Sequence, residues 1–239
     1  MTVLTIVQAR TGSTRLPGKV LMPIRGKPIL EHIIEFLEHS KLTDRIIVAT
    51  TNLTEDDKIE ELSKTLGIDC YRGNPTDVLE RYYECARLFN GDLIVRITAD
   101  NPLIDPTVVD EVIQICKETR CNYASNMIHQ TYPLGYLVEA ITFDTLKKIN
   151  DTQKDPLSRE HVTYHIRQNP SLYDIKEVFA PSELARPNWR LTVDNMEDFY
   201  LISEIFSRLY EHGSIIKYQD VVELLDKNKD LLKINEKHH

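Results

Sequence analysis

The sequence predicts an α/β protein with a Rossmann-like, doubly wound, mostly parallel sheet and a small inserted subdomain. Three observations carry that expectation. Short runs rich in β-branched residues alternate with amphipathic stretches, the pattern of successive βαβ units. The alternation holds to about residue 119 and changes character between residues 122 and 181. With 239 residues, 41% of them hydrophobic, the chain can bury a sizeable core as one large domain with a modest insertion.

The first strand is expected over residues 3–9, directly at the start of the chain, and the second over 45–50 (Arg-Ile-Ile-Val-Ala-Thr). A shorter one is expected at 70–72 and a fourth at 93–97 (Leu-Ile-Val-Arg-Ile). Between them, Pro28 at a first helical position leads an apolar face of Ile29, Leu30, Ile33, Ile34 and Leu37, and helices follow over 54–66 and 76–89. In the changed region, residues 138–143 and 172–179 read as strands and 157–168 as a helix. The Tyr132-Pro133-Leu134-Gly135-Tyr136 stretch leaves aromatic and apolar side chains available for self-association. Residues 189–193 read as a strand leading at Asp194 into a helix over 196–210, followed by another over 218–225 and a polar tail expected to fray. The division is therefore a core (1–121), an insertion (122–181) and a return to the core with C-terminal helices (182–239).

A formal charge of -8 argues against general binding to nucleic acid or an anionic membrane, since phosphate backbones demand net positive surface. Cys70, Cys85, Cys116 and Cys121 form no C-x-x-C pair, so neither a zinc site nor a disulfide scaffold is indicated. Reduced thiols, no secretory leader and no long apolar run together suggest a cytoplasmic protein.

The densest chemical signal follows the first strand: Gln8-Ala9-Arg10-Thr11-Gly12-Ser13-Thr14-Arg15-Leu16-Pro17-Gly18-Lys19. Ligands of α/β sheets bind at strand ends. Glycines admit backbone N–H groups to phosphate oxygens, Ser13 and Thr14 add hydroxyls, and Arg10, Arg15 and Lys19 can offset the charge of a triphosphate. The spacing is not that of a Walker loop, and Val20 stands where that motif needs Ser or Thr; nor does it match G-x-G-x-x-G. A surface turn with incidental cations is the plainer alternative.

This stretch through Leu21 resembles the opening of the cytidylyltransferase family that includes CMP-Kdo synthetases, acylneuraminate cytidylyltransferases and the spore-coat polysaccharide protein F group. Further matches are Tyr71-Arg72-Gly73 with Asp77-Val78-Leu79, Ile97-Thr98-Ala99-Asp100 with Pro102 to Pro106, Arg159 to Thr163, and Arg190 to Asp194. The resemblance implies the fold of nucleotide-diphospho-sugar transferases, with CMP moved from CTP to an acidic or phosphorylated sugar-like acceptor and release of pyrophosphate. Mg²⁺ would be the cofactor, and a homodimer the assembly. Guanylyl- or uridylyl transfer to a sugar 1-phosphate, a metal-dependent glycosyltransferase of related fold and a non-catalytic nucleotide sensor are the alternatives.

It also implies roles for single residues. Arg10, Arg15 and Lys19 are expected to be catalytic, and Gln8, Ala9, Gly12, Ser13, Thr14, Arg72, Asp77, Thr98 and Ala99 to bind nucleotide. Asp100 and Asp194 would hold the metal, with Asp105 and Asp198 in reserve. By position alone Asp100 could be a turn former before Pro102, and Asp194 a helix cap supported by Glu197. Tyr132, Gly135, Glu139, Arg159, His161 and Arg190 are the expected acceptor contacts. His161 and His165, four apart on one helix, lack a third metal ligand. Where family members commonly carry Asp, this chain has Leu134 and Leu137, which leaves acceptor identity open.

Overall fold

The computed structural model describes residues 1–238. In chain order the elements are β1 (Val3–Gln8), a small ribbon of β2 (Pro23–Ile24) and β3 (Lys27–Pro28), α1 (Ile29–Leu37), β4 (Arg45–Thr51), α2 (Asp57–Thr65), β5 (Asp69–Gly73), α3 (Val78–Leu88) and β6 (Leu93–Thr98). They continue with α4 (Pro106–Thr119), β7 (Tyr123–Ser125), β8 (Glu139–Thr142), α5 (Phe143–Thr152), α6 (Pro156–Glu160), α7 (Tyr164–Gln168), β9 (Ile175–Glu177), α8 (Met196–Leu209) and α9 (Tyr218–Lys227).

Seven strands form one sheet in the order β5-β4-β1-β6-β8-β7-β9, and only β8 runs against the rest. β1 is central and reads as a continuous apolar run because both its faces are covered. Val3 and Val7 join a core with α1, α4, α8 and α9, while Leu4 and Ile6 join a second core with α3, α5 and Val162. The same alternation in β6 sends Leu93, Val95 and Ile97 to the first layer and Ile94 to the second. The expected doubly wound, mostly parallel architecture is thus present. No helix among the described residues is long and apolar enough to cross a membrane.

Several details differ from the sequence reading. Segment 122–181, expected as an inserted subdomain, supplies β7, β8 and β9 to the same sheet as the core. Pro28 ends β3 with ψ 148°, extended rather than helical, and α1 begins one residue later. The helix expected over 157–168 is two short ones, broken at His161, whose φ and ψ of -110° and 79° leave helical space. His161 and His165 therefore share no helix face. Residues 189–193 form no strand beyond a single bridge between Leu134 and Arg190. The polar tail is anchored, because buried Asn235 donates to the Arg190 carbonyl at 3.0 Å and to Asp198 Oδ1 at 2.9 Å.

Candidate functional site

The C-terminal ends of β1 and β6 pair at Gln8 and Thr98, and a cleft of about 350 Å³ opens above them. Its shape begins with the loop after β1. Thr11 is tied down by the buried carboxylate of Asp56, which accepts from its N–H and its hydroxyl, both at 2.7 Å. The Thr11 carbonyl then accepts from the N–H groups of Ser13 and Gly18, both at 2.8 Å, and so closes the loop on itself. Gly18 sits in the left-handed region at φ 71°, where a side chain is disfavoured, and from there the chain turns Lys19 inward.

Lys19 is the hub. Its Nζ donates to Asp100 Oδ2 at 3.1 Å, to Asp194 Oδ1 at 2.8 Å and to the Val193 carbonyl at 2.7 Å. Arg15 Nη2 reaches the same Asp194 oxygen at 2.9 Å. Arg190 Nη2 bonds the other Asp194 oxygen at 2.7 Å and also holds Asp198, whose carboxylate accepts from the Asp194 N–H at 2.9 Å. Burial alone would raise the Asp194 carboxyl pKa. The hydrogen bonds of Lys19 and Arg190, with the charge of Arg15, more than offset that and hold it below the ordinary carboxylate range. Asp194 does not cap α8: that role belongs to Asn195, whose side chain accepts from the Asp198 N–H at 2.9 Å. Asp100 accepts from the Thr98 hydroxyl at 2.6 Å, which orients it toward Lys19.

Two carboxylate oxygens that converge on one ammonium nitrogen suit a hard divalent cation, which favours oxygen ligands and keeps substrate and water in its remaining positions. Among the described residues no larger cluster of metal-ligating side chains occurs. Asp105 and Asp198, the reserve candidates, are engaged elsewhere: Asp105 caps α4 and accepts from the Tyr218 N–H at 2.8 Å, while Asp198 is fully buried against Arg190.

Of the residues singled out in the sequence, Gln8, Ala9, Arg10, Ser13, Thr14, Arg15, Lys19, Thr98, Ala99, Asp100, Asp194 and His161 line this cleft. The others do not. Arg72 is held by Asp57 and Glu60, both at 2.7 Å, and by the carbonyls of Thr51 and Leu53. Asp77 caps α3 and pairs with Arg159 at 2.5 Å, so each occupies the other. Gly12 lies in the loop away from the cleft wall, with Glu55 3.0 Å from where a Cβ would stand.

The expected acceptor residues are mostly architectural. Tyr132 and Tyr136 are buried against the Tyr218 ring, with centroids 5.1 and 4.7 Å away, which also removes them from any self-association surface. Gly135, at φ 114°, has the Leu191 carbonyl oxygen 2.4 Å from a hypothetical Cβ, so only glycine fits there. Glu139 is buried and accepts from Arg96 Nη1 at 2.6 Å, from the Tyr123 hydroxyl at 2.6 Å and from the Thr163 hydroxyl. Arg190 serves Asp194 and Asp198 rather than facing the cleft.

A cytidylyltransferase family model matches residues 4–236. The chain belongs to the cytidylyltransferase family. It is 39% identical to an uncharacterised protein of Methanocaldococcus jannaschii, covering 98% of this chain and 95% of that one. It is 32% identical to the spore coat polysaccharide biosynthesis protein SpsF of Bacillus subtilis, covering 95% of each. A solved cytidylyltransferase from Leptospira borgpetersenii superposes with a TM-score of 0.91 at 32% identity, covering 97% of each chain. Family membership makes the protein a nucleotidyltransferase and matches the resemblance noted in the loop after β1.

Two cations that line the cleft, Arg81 and Arg96, were not singled out as site residues in the sequence. Arg81 and Arg96 sit within apolar α3 and β6 patterns, where a cation reads as a solvated face. The available signal in β6 was parity, since Arg96 shares the inward side of Ile94.

Proposed function

We propose that this protein transfers CMP from CTP to a sugar-like acceptor bearing an acidic or phosphate group, with release of pyrophosphate and with Mg²⁺ as cofactor. The observation that carries the reading is the Lys19 ammonium held between Asp100 and Asp194 beneath the loop after β1. That loop offers Arg10, Ser13, Thr14 and Arg15 to the triphosphate from one side of the cleft. Lys19 and Arg15 are positioned to stabilise charge on the leaving pyrophosphate as the α–β phosphoanhydride bond breaks. Bound between the two aspartates, Mg²⁺ would polarise the α-phosphate and lower the pKa of an attacking hydroxyl. Arg190, Asp198 and Asn235 keep Asp194 fixed from outside the cleft lining.

The family description and the polysaccharide biosynthesis named for the Bacillus relative support cytosine and a sugar-like acceptor. A homodimer remains part of the reading, through exposed Leu157, Leu172 and Phe179 on segment 122–181. The test is pyrophosphate release with Mg²⁺, each nucleoside triphosphate in turn and a panel of sugar acids, sugar phosphates and neutral sugars. Release that requires CTP and an acceptor is expected. Preference for UTP or GTP would move the protein to the uridylyl or guanylyl reading, and nucleotide binding without turnover would make it a sensor.

A further inference from the structure

The last turn of α4 carries Cys116, and Arg120 after it takes φ 55° and ψ 33°, the left-handed conformation that favours glycine. A helix end of this kind brings the side chain that follows the left-handed residue back onto the last turn. Here that residue is Cys121, whose sulfur stands 3.0 Å from the sulfur of Cys116. The Cys116 thiol also reaches the Cys121 carbonyl at 3.5 Å. The pair lies far from the cleft. Thr142, opposite Leu93 at the start of β6, donates its N–H to the Asn122 carbonyl, which puts Cys121 at the end of the sheet away from Gln8 and Thr98.

Two apolar side chains would be enough to close such a helix end, but two sulfurs can also bond. Going from 3.0 Å to the roughly 2 Å of a disulfide asks for a movement of about 1 Å. The four cysteines also differ in reactivity. Burial pushes the Cys85 and Cys70 thiols up to about 12 and about 11. A thiolate at Cys121 accepts instead from the Cys116 thiol, which more than offsets burial and holds Cys121 down at about 7. The thiolate is the form that oxidants attack. Cys121 is fully buried and Cys116 3% exposed, beside the exposed turn at Thr119 and Arg120, so the oxidant that suits them is close to water in size.

We propose that Cys116 and Cys121 are an oxidation site that a peroxide closes into a disulfide, clamping the end of α4 to the start of β7. The Cys121 thiolate attacks one peroxide oxygen, the O–O bond breaks, and hydroxide leaves as Cys121 becomes a sulfenic acid. The Cys116 sulfur then attacks the Cys121 sulfur. The S–S bond forms, the S–O bond breaks, and the Cys116 proton departs with the hydroxyl as water. The two sulfurs have together given two electrons to the peroxide. None of this depends on the transferase reading.

The experiment treats the folded protein with hydrogen peroxide, alkylates it in denaturant and digests it with trypsin without reductant. Cleavage after Lys117 and Arg120 puts the two cysteines in different peptides, so a bond between them keeps the peptides joined. A joined pair that dithiothreitol separates is expected, with Cys70 and Cys85 alkylated. Tm should rise by about 5 °C on oxidation and return on reduction, the scale for a disulfide across a short loop in a chain of this size. In Cys116→Ser, dimedone should capture the sulfenic acid at Cys121, and in Cys121→Ser, Cys116 should stay alkylatable. Four alkylated cysteines after peroxide, oxidation of Cys70 or Cys85 ahead of the pair, or a covalent dimer in place of the internal bond would overturn the proposal. A Tm that stays put or falls as the bond forms would overturn the clamp.

Discussion

The two walls of the cleft solve the problem of unneutralised charge in opposite ways. On the loop side, Arg15, Lys19 and Arg190 meet Asp100, Asp194 and Asp198 within 3.1 Å, so the charges balance inside the chain. On the α3 side, Arg81 is buried with only a carbonyl for company. A self-balanced wall is ready to exchange one cation for another and so suits a metal and a transition state. A wall with surplus positive charge awaits an anion.

The comparison breaks first at Lys19. Lys19→Ala should lower turnover by about 10² to 10³, the usual cost of losing a transition-state charge contact. Because Lys19 is only 8% exposed and its loss leaves Asp100 and Asp194 facing each other, thermal stability should fall too. Millimolar Mg²⁺ should restore part of the lost Tm by taking the ammonium's place. A stability loss indifferent to Mg²⁺ would separate the two carboxylates from metal binding.

Arg15→Ala sharpens the same wall. The Arg15 side chain is 64% exposed, so removing it should reduce turnover by about 10-fold without a measurable change in Tm. An equal loss of stability in this variant would mean that the loop itself depends on the pair.

The smallest effect concerns pH. Asp194 has a folded-state pKa below its unfolded value, so its contribution to stability is present above the unfolded pKa, about 4, and disappears as pH falls through the folded one. Acid unfolding followed by circular dichroism should therefore show a shallower loss of stability below about pH 4 in Asp194→Asn than in wild type. Glu139, held low by Arg96 and two hydroxyls against the opposing effect of its burial, has the same sign. An unchanged acid limb would mean that Asp194 gains nothing from its three cations.

The first wall was legible because its chemistry is contiguous: residues 8–19 carry strand, glycines, hydroxyls and cations in one stretch, and Asp100 follows a strand directly. The second was not, because β6, α3 and α6 meet only after the sheet has formed, and each contributes one or two charged residues to an otherwise ordinary pattern. The same reason misplaced the acceptor residues. Tyr132, Gly135 and Glu139 are close in sequence, yet their side chains and backbone turn into Tyr218, Leu191 and Arg96. Local reading also offered a helix cap as the alternative role for Asp194. The cap lies one residue further on, at Asn195, which frees Asp194 for Lys19. The strands of the βαβ core were legible since their apolar, β-branched runs need no tertiary partner to be seen, whereas the strand expected over 189–193 is only a single bridge.

The central claim is that Asp100 and Asp194 form one catalytic cation site, and Asp194→Asn tests it most directly because Asn195 leaves the helix cap untouched. Pyrophosphate release with saturating CTP, Mg²⁺ and acceptor should fall by two orders of magnitude or more, while CTP affinity changes only modestly because the loop still holds the triphosphate. Normal release by the Asp194→Asn protein would contradict the two-carboxylate site.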